Sequence, residues 1–144
     1  MTTIEPATYE EVTTKKIYKD QAIRVATFLG GPLVAGYLIA ENYKAFNELE
    51  KVKMTWVYTV VATVIIFGGV FFIPDSVNIP KIIIPLIYSW VTFYIVQSFQ
   101  GAQMKTHMEQ GGETFSWGRT LLIGLIGAVV TLAPIVIIVY FSLA

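Results

Sequence analysis

The stretch that decides the fold is residues 22–43, AIRVATFLGGPLVAGYLIAENY, an apolar segment with a helix breaker at its middle. Its longest run without a charge, residues 25–40, would rise about 24 Å as a helix. A lipid hydrocarbon core is about 30 Å thick, so this run is short for a membrane crossing. Gly30, Gly31 and Pro32 disfavour a continuous helix, because glycine loses more backbone entropy and proline lacks an N–H donor. The segment is therefore predicted to bend or break there.

Three further apolar segments follow, at about residues 55–73, 82–100 and 117–140. Only 14% of the 144 residues are charged, where soluble domains carry about 25%. All 20 charged side chains fall outside four uncharged runs, which are residues 25–40, 54–74, 82–104 and 120–144. Such long apolar runs are typical of membrane-spanning helices. The pattern predicts an all-α, polytopic transmembrane bundle of four hydrophobic segments, with three clear spans and a broken first segment that either crosses or re-enters.

The domain organisation follows from the same pattern. A polar leader occupies residues 1–21, and residues 22–144 form a single transmembrane helical domain. The chain has one histidine and no cysteine, which excludes disulfides and Cys/His zinc sites. We expect no cofactor, no bound metal and no nucleic-acid partner.

The positions of the ten lysines and arginines bear on how many times the chain crosses a membrane, because these residues favour the cytoplasmic side. If all four segments span, the basic residues divide five against five. If the first segment turns back at the Gly30-Gly31-Pro32 break, nine lie on one side and only Lys81 on the other. The second arrangement predicts a multi-pass protein of the cell (inner) membrane with a cytoplasmic N-terminus. Four plain spans remain the alternative.

Small residues at four-residue spacing allow close helix packing. The first and last segments contain three such pairs, Gly31 with Ala35, Gly36 with Ala40, and Gly124 with Ala128. These segments are therefore expected to pack on protein. The short connection 74–80 predicts that the second and third segments are antiparallel neighbours.

Two ionisable residues, Arg24 and Glu41, bracket the first segment. They would pair if the segment folds back, would mark an ion path if they lie inside the membrane, and would otherwise anchor the segment ends at the headgroups.

The loop before the last segment contains His107, Glu109 and Glu113, which could bind a metal or relay a proton. A structural role is the simpler interpretation, because no nucleophile or oxyanion site accompanies them. Gly111 and Gly112 are predicted to end one helix before Ser116 caps the next. Trp117 is predicted to anchor the last segment at a membrane interface.

Residues 21–43 and 100–119 resemble a family of small bacterial integral membrane proteins with no established activity. In the first segment the resemblance rests on Ala26, Phe28, Gly30, Gly31, Pro32, Leu33, Ala35, Gly36, Tyr37, Asn42, Tyr43 and Lys44. In the later stretch it rests on Gln100, Gly101, His107, Gly111, Gly112, Ser116, Trp117 and Arg119. Gly118 separates Trp117 from Arg119, where the family pattern has them adjacent. The resemblance implies a bacterial cell membrane and a helical fold, and no mechanism.

These observations favour a small, non-enzymatic structural or assembly subunit. Its expected partners are the lipid bilayer and either copies of itself or other membrane subunits. A channel or uniporter-like subunit that uses the broken first helix is the alternative, since broken helices place polar backbone groups at the membrane midplane. A membrane enzyme would have to depend on the His107 loop.

Overall fold

The computed structural model describes residues 15–144, of which 78% are helical, and this part of the chain forms no strand. The five helices are α1 (Asp20–Gly30), α2 (Pro32–Ala45), α3 (Leu49–Phe71), α4 (Ile83–Glu109) and α5 (Trp117–Leu143). The prediction of an all-helical protein is confirmed.

The first apolar segment breaks where the sequence predicts. Gly31 separates α1 from α2 with φ 91° and ψ −178°, a backbone conformation that is almost restricted to glycine. Pro32 follows as the first residue of α2, where its missing N–H costs no helical hydrogen bond. The backbone amide of Tyr18, just before α1, donates to the Asn42 side chain near the end of α2. The two short helices therefore fold back on each other, and we call α1 and α2 together the hairpin.

The tip of the hairpin reaches the middle of α5. Thr131 lies halfway along α5, and its hydroxyl donates to the carbonyl oxygen of Gly30 at 3.3 Å. At the other end of α1, the Arg119 side chain at the start of α5 donates to the Tyr18 hydroxyl at 3.2 Å. The hairpin is thus about half as long as the helix it packs against.

The long helices are held together through the hairpin. Helix α1 packs against α4 and α5, and α2 packs mainly against α3, whereas α3, α4 and α5 scarcely touch one another. The prediction that the second and third apolar segments are direct neighbours is therefore wrong. The hairpin lies between these two helices. A short connection joins their ends but does not require the helices to be in contact along their length.

The two ends of the molecule differ in their number of basic residues. Residues 15–19, the 46–48 turn and the 110–116 loop meet at one end, which we call the loop end; the connection 72–82 and Ala144 lie at the other, the far end. Lys81 lies at the far end, and the other nine basic residues lie on segments that begin or end at the loop end. The hairpin produces the nine-to-one division that a fold-back of the first segment implies.

Among residues 15–144, two helices are long and apolar enough to cross a membrane. They are α3, with mean hydropathy 1.9 over its most apolar stretch, and α5, with 2.8. Of the three clear spans that the sequence predicts, the middle one, α4, does not reach this hydropathy, and the prediction needs correction there. Helices α1 and α2 have 11 and 14 residues, or about 16 and 21 Å, which is too short. Helix α4 is long enough to cross, but its glutamines lower its mean hydropathy. It also continues nine residues beyond the predicted end at residue 100.

The last residues of the predicted leader belong to the core. Ile17 and Tyr18 are each 1% exposed, and Tyr18 stacks on Phe115 with ring centroids 4.3 Å apart. The polar composition of the leader conceals these two anchors. Its first fourteen residues lie outside the described part of the chain.

Candidate functional site

The hairpin is the candidate site, and its contact with α5 depends on glycine. A methyl group placed on Gly30 would lie 2.5 Å from the carbonyl oxygen of Gly124. A methyl group on Gly124 would lie 3.2 Å from the backbone of Ala26. The backbones of α1 and α5 therefore touch directly, which is the close approach that small residues permit between membrane helices.

The second helix of the hairpin approaches α3 in the same way. A side chain on Gly36 would overlap the Thr59 side chain, and Thr59 is the one residue of α3 that is classed as buried. On the α5 side, a side chain on Gly127 would overlap Val34. The expectation that the small-residue segments pack on protein is confirmed at Gly36 and Gly124, whereas Gly31 serves the turn.

A polar clamp closes the open end of the hairpin. The Asn42 side chain accepts from the Tyr18 amide at 2.7 Å and donates to the Tyr18 carbonyl at 2.9 Å. Asn42 is fully buried, so these two bonds satisfy a group that would otherwise be costly to bury. They join the residue before α1 to the end of α2.

Gln100 of α4 completes the clamp. Its amide donates to the carbonyl of Ile39 at 3.0 Å, and its side-chain oxygen accepts from Asn42 at 3.4 Å. Gln100 is also fully buried. The clamp therefore ties three parts of the chain together: the residues before α1, the second half of α2, and α4.

His107 organises the loop between α4 and α5. It is 3% exposed, and its Nε2 donates to the carbonyl oxygen of Glu113 at 2.9 Å. Its own carbonyl accepts from the Gly112 amide, and any side chain on Gly112 would overlap the imidazole ring. Gly111 adopts a left-handed conformation with φ 78° just after α4. The arrangement matches the structural interpretation of this histidine.

The 110–116 loop also holds the start of the described chain. Ile17 donates to Glu113 and its carbonyl accepts from Phe115, which forms an isolated parallel bridge. Ser116 then caps α5 by accepting from the Arg119 amide, as the sequence predicts. The Arg119 guanidinium lies over the ring of Phe115, 4.5 Å from its centre. Trp117 is the first residue of α5 and is 43% exposed, as an interfacial anchor would be.

Arg24 and Glu41 do not pair, although the segment folds back. The Arg24 guanidinium lies over the Trp90 ring of α4, 4.3 Å from its centre, and 5.2 Å from the centre of Phe93. Glu41 instead pairs with Lys44 at 2.9 Å, one turn further along α2, and this hydrogen bond raises the pKa of Lys44. The two residues face different neighbours.

Two cavities, of about 680 and 260 Å³, open near the loop end. The larger has an apolar floor that includes Met104 and Met108, and the smaller is lined in part by Phe46 and His107. Neither is lined by residues of the hairpin tip. Within residues 15–144, no three His, Asp or Glu side chains group closely enough to hold a metal ion.

The chemistry of the individual residues did not predict the clamp. The sequence analysis names Asn42 and Gln100 only among the residues of the family resemblance. The available signal was their position, since each is an uncharged polar residue at the end of an apolar segment. Such residues are ambiguous in a sequence, because an interfacial position accommodates them as well as a buried one.

Comparison with known proteins adds no assignment: no protein family, no curated protein and no solved structure matches this chain.

Proposed function

We propose that this chain is an integral membrane protein with a re-entrant hairpin, and that it acts as a non-enzymatic assembly subunit. Helices α3 and α5 would cross as the most apolar spans, and α4, which is less apolar but carries no charge over residues 83–104, would cross beside them. The observation that carries the proposal is the inverted distribution of apolar surface. In the most apolar stretches of α3 and α5, only 6% of the residues are buried. A soluble protein would bury these helices most, because their exposure to water is unfavourable.

The membrane part of the proposal accounts for the hairpin. Helices α1 and α2 are covered by α3, α4 and α5, so the irregular backbone at Gly31 is shielded by protein, as non-helical backbone at membrane depth must be. The nine basic residues associated with the loop end favour a cytoplasmic position for that end. The N-terminus would then be cytoplasmic and Ala144 would lie on the opposite side.

The assembly part of the proposal concerns the far end. The hairpin stops at the middle of α5, and beyond it the three long helices scarcely touch. Residues 60–65 of α3 and 136–143 of α5 are almost all exposed. Van der Waals packing between helices drives association in membranes, so these free halves are the surfaces on which copies of the chain or other subunits would pack.

Cross-linking in the native membrane tests the assembly directly, since the chain has no cysteine of its own. Val136→Cys and Val64→Cys place single thiols on the free halves of α5 and α3, where both side chains are exposed. Leu38→Cys, at a fully buried position, is the control. We expect a disulfide-linked species from at least one exposed variant and none from the control. A clean 16.0 kDa monomer in native mass measurement, with no cross-link from either exposed variant, would contradict the assembly.

The crossing pattern has a separate test. Lys16→Cys and Ser142→Cys should be labelled from opposite sides of sealed membrane vesicles by a maleimide that does not cross lipid. Labelling of both from the same side would contradict three crossings, because it requires an even number.

Transport through the broken helix is favoured by one feature, the position of the Gly30-Gly31-Pro32 tip at the middle of α5. Two contacts weigh against it. The Gly30 carbonyl already accepts from Thr131, and the backbones of α1 and α5 touch at Gly124. A tip packed in this way supports a structural role.

A further inference from the structure

We propose that Arg24, which lies over the ring of Trp90, forms a binding site for the phosphate group of a phospholipid where α1 packs against α4. This proposal depends on the membrane location proposed above. It adds a ligand class to Arg24, which has no ion-pair partner among residues 15–144.

The position of Arg24 is unusual for a charge. It lies six residues before Gly30, about 9 Å along α1 from a tip that reaches the middle of α5. It also lies one full turn beyond Asp20, the first residue of α1. Arg24 is therefore closer to the middle of α5 than any other charged residue on the hairpin. A guanidinium stays protonated, so its charge at this depth must be compensated by a partner rather than removed.

The neighbouring side chains do not provide that partner. Within residues 15–144, no carboxylate lies within ion-pair distance of Arg24. Asp20 is one turn away on the same helix, but its carboxylate accepts from the Gln21 amide at 2.7 Å and from Gln97 at 3.3 Å. The Arg24 guanidinium donates to the Gln21 side chain at 3.1 Å, which uses one of its five N–H groups.

Two aromatic side chains of α4 contact the Arg24 guanidinium. Trp90 and Phe93 lie edge to face, with ring centroids 5.8 Å apart, and Arg24 lies within 4.3 and 5.2 Å of them. The rings hold the guanidinium in place, and four of its five N–H groups have no hydrogen-bond partner among residues 15–144. A phosphate diester can accept two parallel hydrogen bonds from a guanidinium. Headgroup phosphates lie outside the hydrocarbon core, so the bound lipid would be drawn inward by local thinning of the bilayer around Arg24.

Lipid retention measured by native mass spectrometry tests the site. The probes are phosphatidylglycerol and diacylglycerol, which share acyl chains but differ in the phosphate, added to the purified full-length protein in mild detergent. We expect the wild type to retain phosphatidylglycerol and to lose diacylglycerol. Arg24→Gln should weaken phosphatidylglycerol binding about tenfold, as expected when a charged hydrogen-bond donor is lost. Arg24→Lys should weaken it less, because the charge remains and the fork is lost. Lys53→Gln, at an exposed basic position of α3, should have no effect.

A second variant keeps the test decisive if Arg24→Gln does not fold. Trp90→Leu removes the stacking ring at a half-exposed position of α4 and should weaken phosphatidylglycerol binding while Arg24 is present. Equal retention of the two lipids by the wild type would overturn the site, as would unchanged binding in both Arg24→Gln and Trp90→Leu. Equally tight binding of inorganic phosphate would overturn the lipid assignment.

Failure of the membrane proposal gives a different result. In that case the protein would be released from membranes by alkaline carbonate, whatever its affinity for phosphatidylglycerol. A protein that stays in the membrane but does not distinguish the two lipids contradicts only the Arg24 site.

Discussion

The two short helices of the hairpin and the two most apolar helices, α3 and α5, reverse the usual relation between hydropathy and burial. Leu38 and Asn42 of the hairpin are both fully buried, although one is apolar and the other polar. In α5, which has the highest mean hydropathy, Thr120 and Gly124 are the only residues classed as buried. In a protein surrounded by lipid, apolar residues gain little by leaving the surface, so small size and hydrogen bonding decide which residues lie inside.

The largest expected effect contrasts a buried leucine with an exposed one. Leu38→Ala should lower the free energy of unfolding by about 2–5 kcal/mol, because it leaves a cavity at the centre of α2. Leu125→Ala, at a position of α5 that is 56% exposed, should change it by less than about 0.5 kcal/mol. Thermal unfolding in one detergent measures both. Equal losses would show that the Leu125 side chain is also packed on protein and would remove the contrast.

The next effect tests the backbone contact between α1 and α5. Gly30→Ala should lower the free energy of unfolding by about 1–3 kcal/mol, since the added methyl group meets the Gly124 carbonyl. Gly69→Ala makes the same change in α3, where nothing lies within 4 Å of the added methyl group. It should be neutral or slightly stabilising, because alanine favours helix. The melting temperatures of the two variants check this, and a stable Gly30→Ala protein would contradict the close packing of the hairpin.

The polar clamp is expected to contribute about 1–3 kcal/mol to the free energy of unfolding. Asn42→Leu leaves the amide and carbonyl of Tyr18 without their side-chain partner, and unpaired buried groups cost that much. A double-mutant cycle with Gln100→Leu should show coupling, because the two side chains are joined by a hydrogen bond. Gln97→Leu, at an exposed position on the same helix, is the matched control. Strict additivity of Asn42→Leu and Gln100→Leu would mean that they do not act as one clamp.

The smallest expected effect is a pH dependence of stability, which arises from Glu48 in the turn between the hairpin and α3. Lys51 donates to the Glu48 carboxylate and lowers the pKa of Glu48 below its usual value. A carboxyl whose pKa is lower in the folded state stabilises the fold above its unfolded pKa, near 4.3, and this contribution is lost as the pH falls through the folded value.

Glu48→Gln should therefore lower the melting temperature slightly at pH 7 and leave it unchanged near pH 3. The side chain of Glu48 is 25% exposed, so solvent screening keeps the effect below about 1 kcal/mol. Glu109→Gln, at an exposed position, is the control. A stability difference that persists at pH 3 would assign the effect to packing.

Local features were predictable from the sequence. The break at Gly31, the end of α4 before Gly111 and the cap at Ser116 all follow from backbone chemistry that operates within a few residues. Of the three clear spans predicted, α4 does not reach the hydropathy of a spanning helix, because polar side chains such as Gln97 and Gln100 lie within its apolar run. The fold-back of the first segment was one of two alternatives that the positions of the basic residues left open.

The candidate site depends on contacts between distant parts of the chain. Asn42 bonds with residues 24 and 58 positions away, and Arg24 meets Trp90 on another helix. No local pattern distinguishes Asn42 from an interfacial asparagine. For Arg24, the sequence offered Glu41 as a partner and gave no sign of Trp90. Ile17 and Tyr18 were assigned to a polar leader, because the neighbours that bury them lie in a loop nearly a hundred residues later.

The sequence by itself determined that the protein is helical, that its charges are segregated from its apolar runs, and that its first apolar segment breaks at Gly31. Run length, charge position and the conformational limits of glycine and proline are local properties. Only the tertiary structure decided that the hairpin connects three long helices that otherwise scarcely touch, and that Asn42 and Gln100 close it. The physical reason is that apolar helices of similar hydropathy compete for the interior, and the outcome depends on which backbones approach closely and which polar groups find partners.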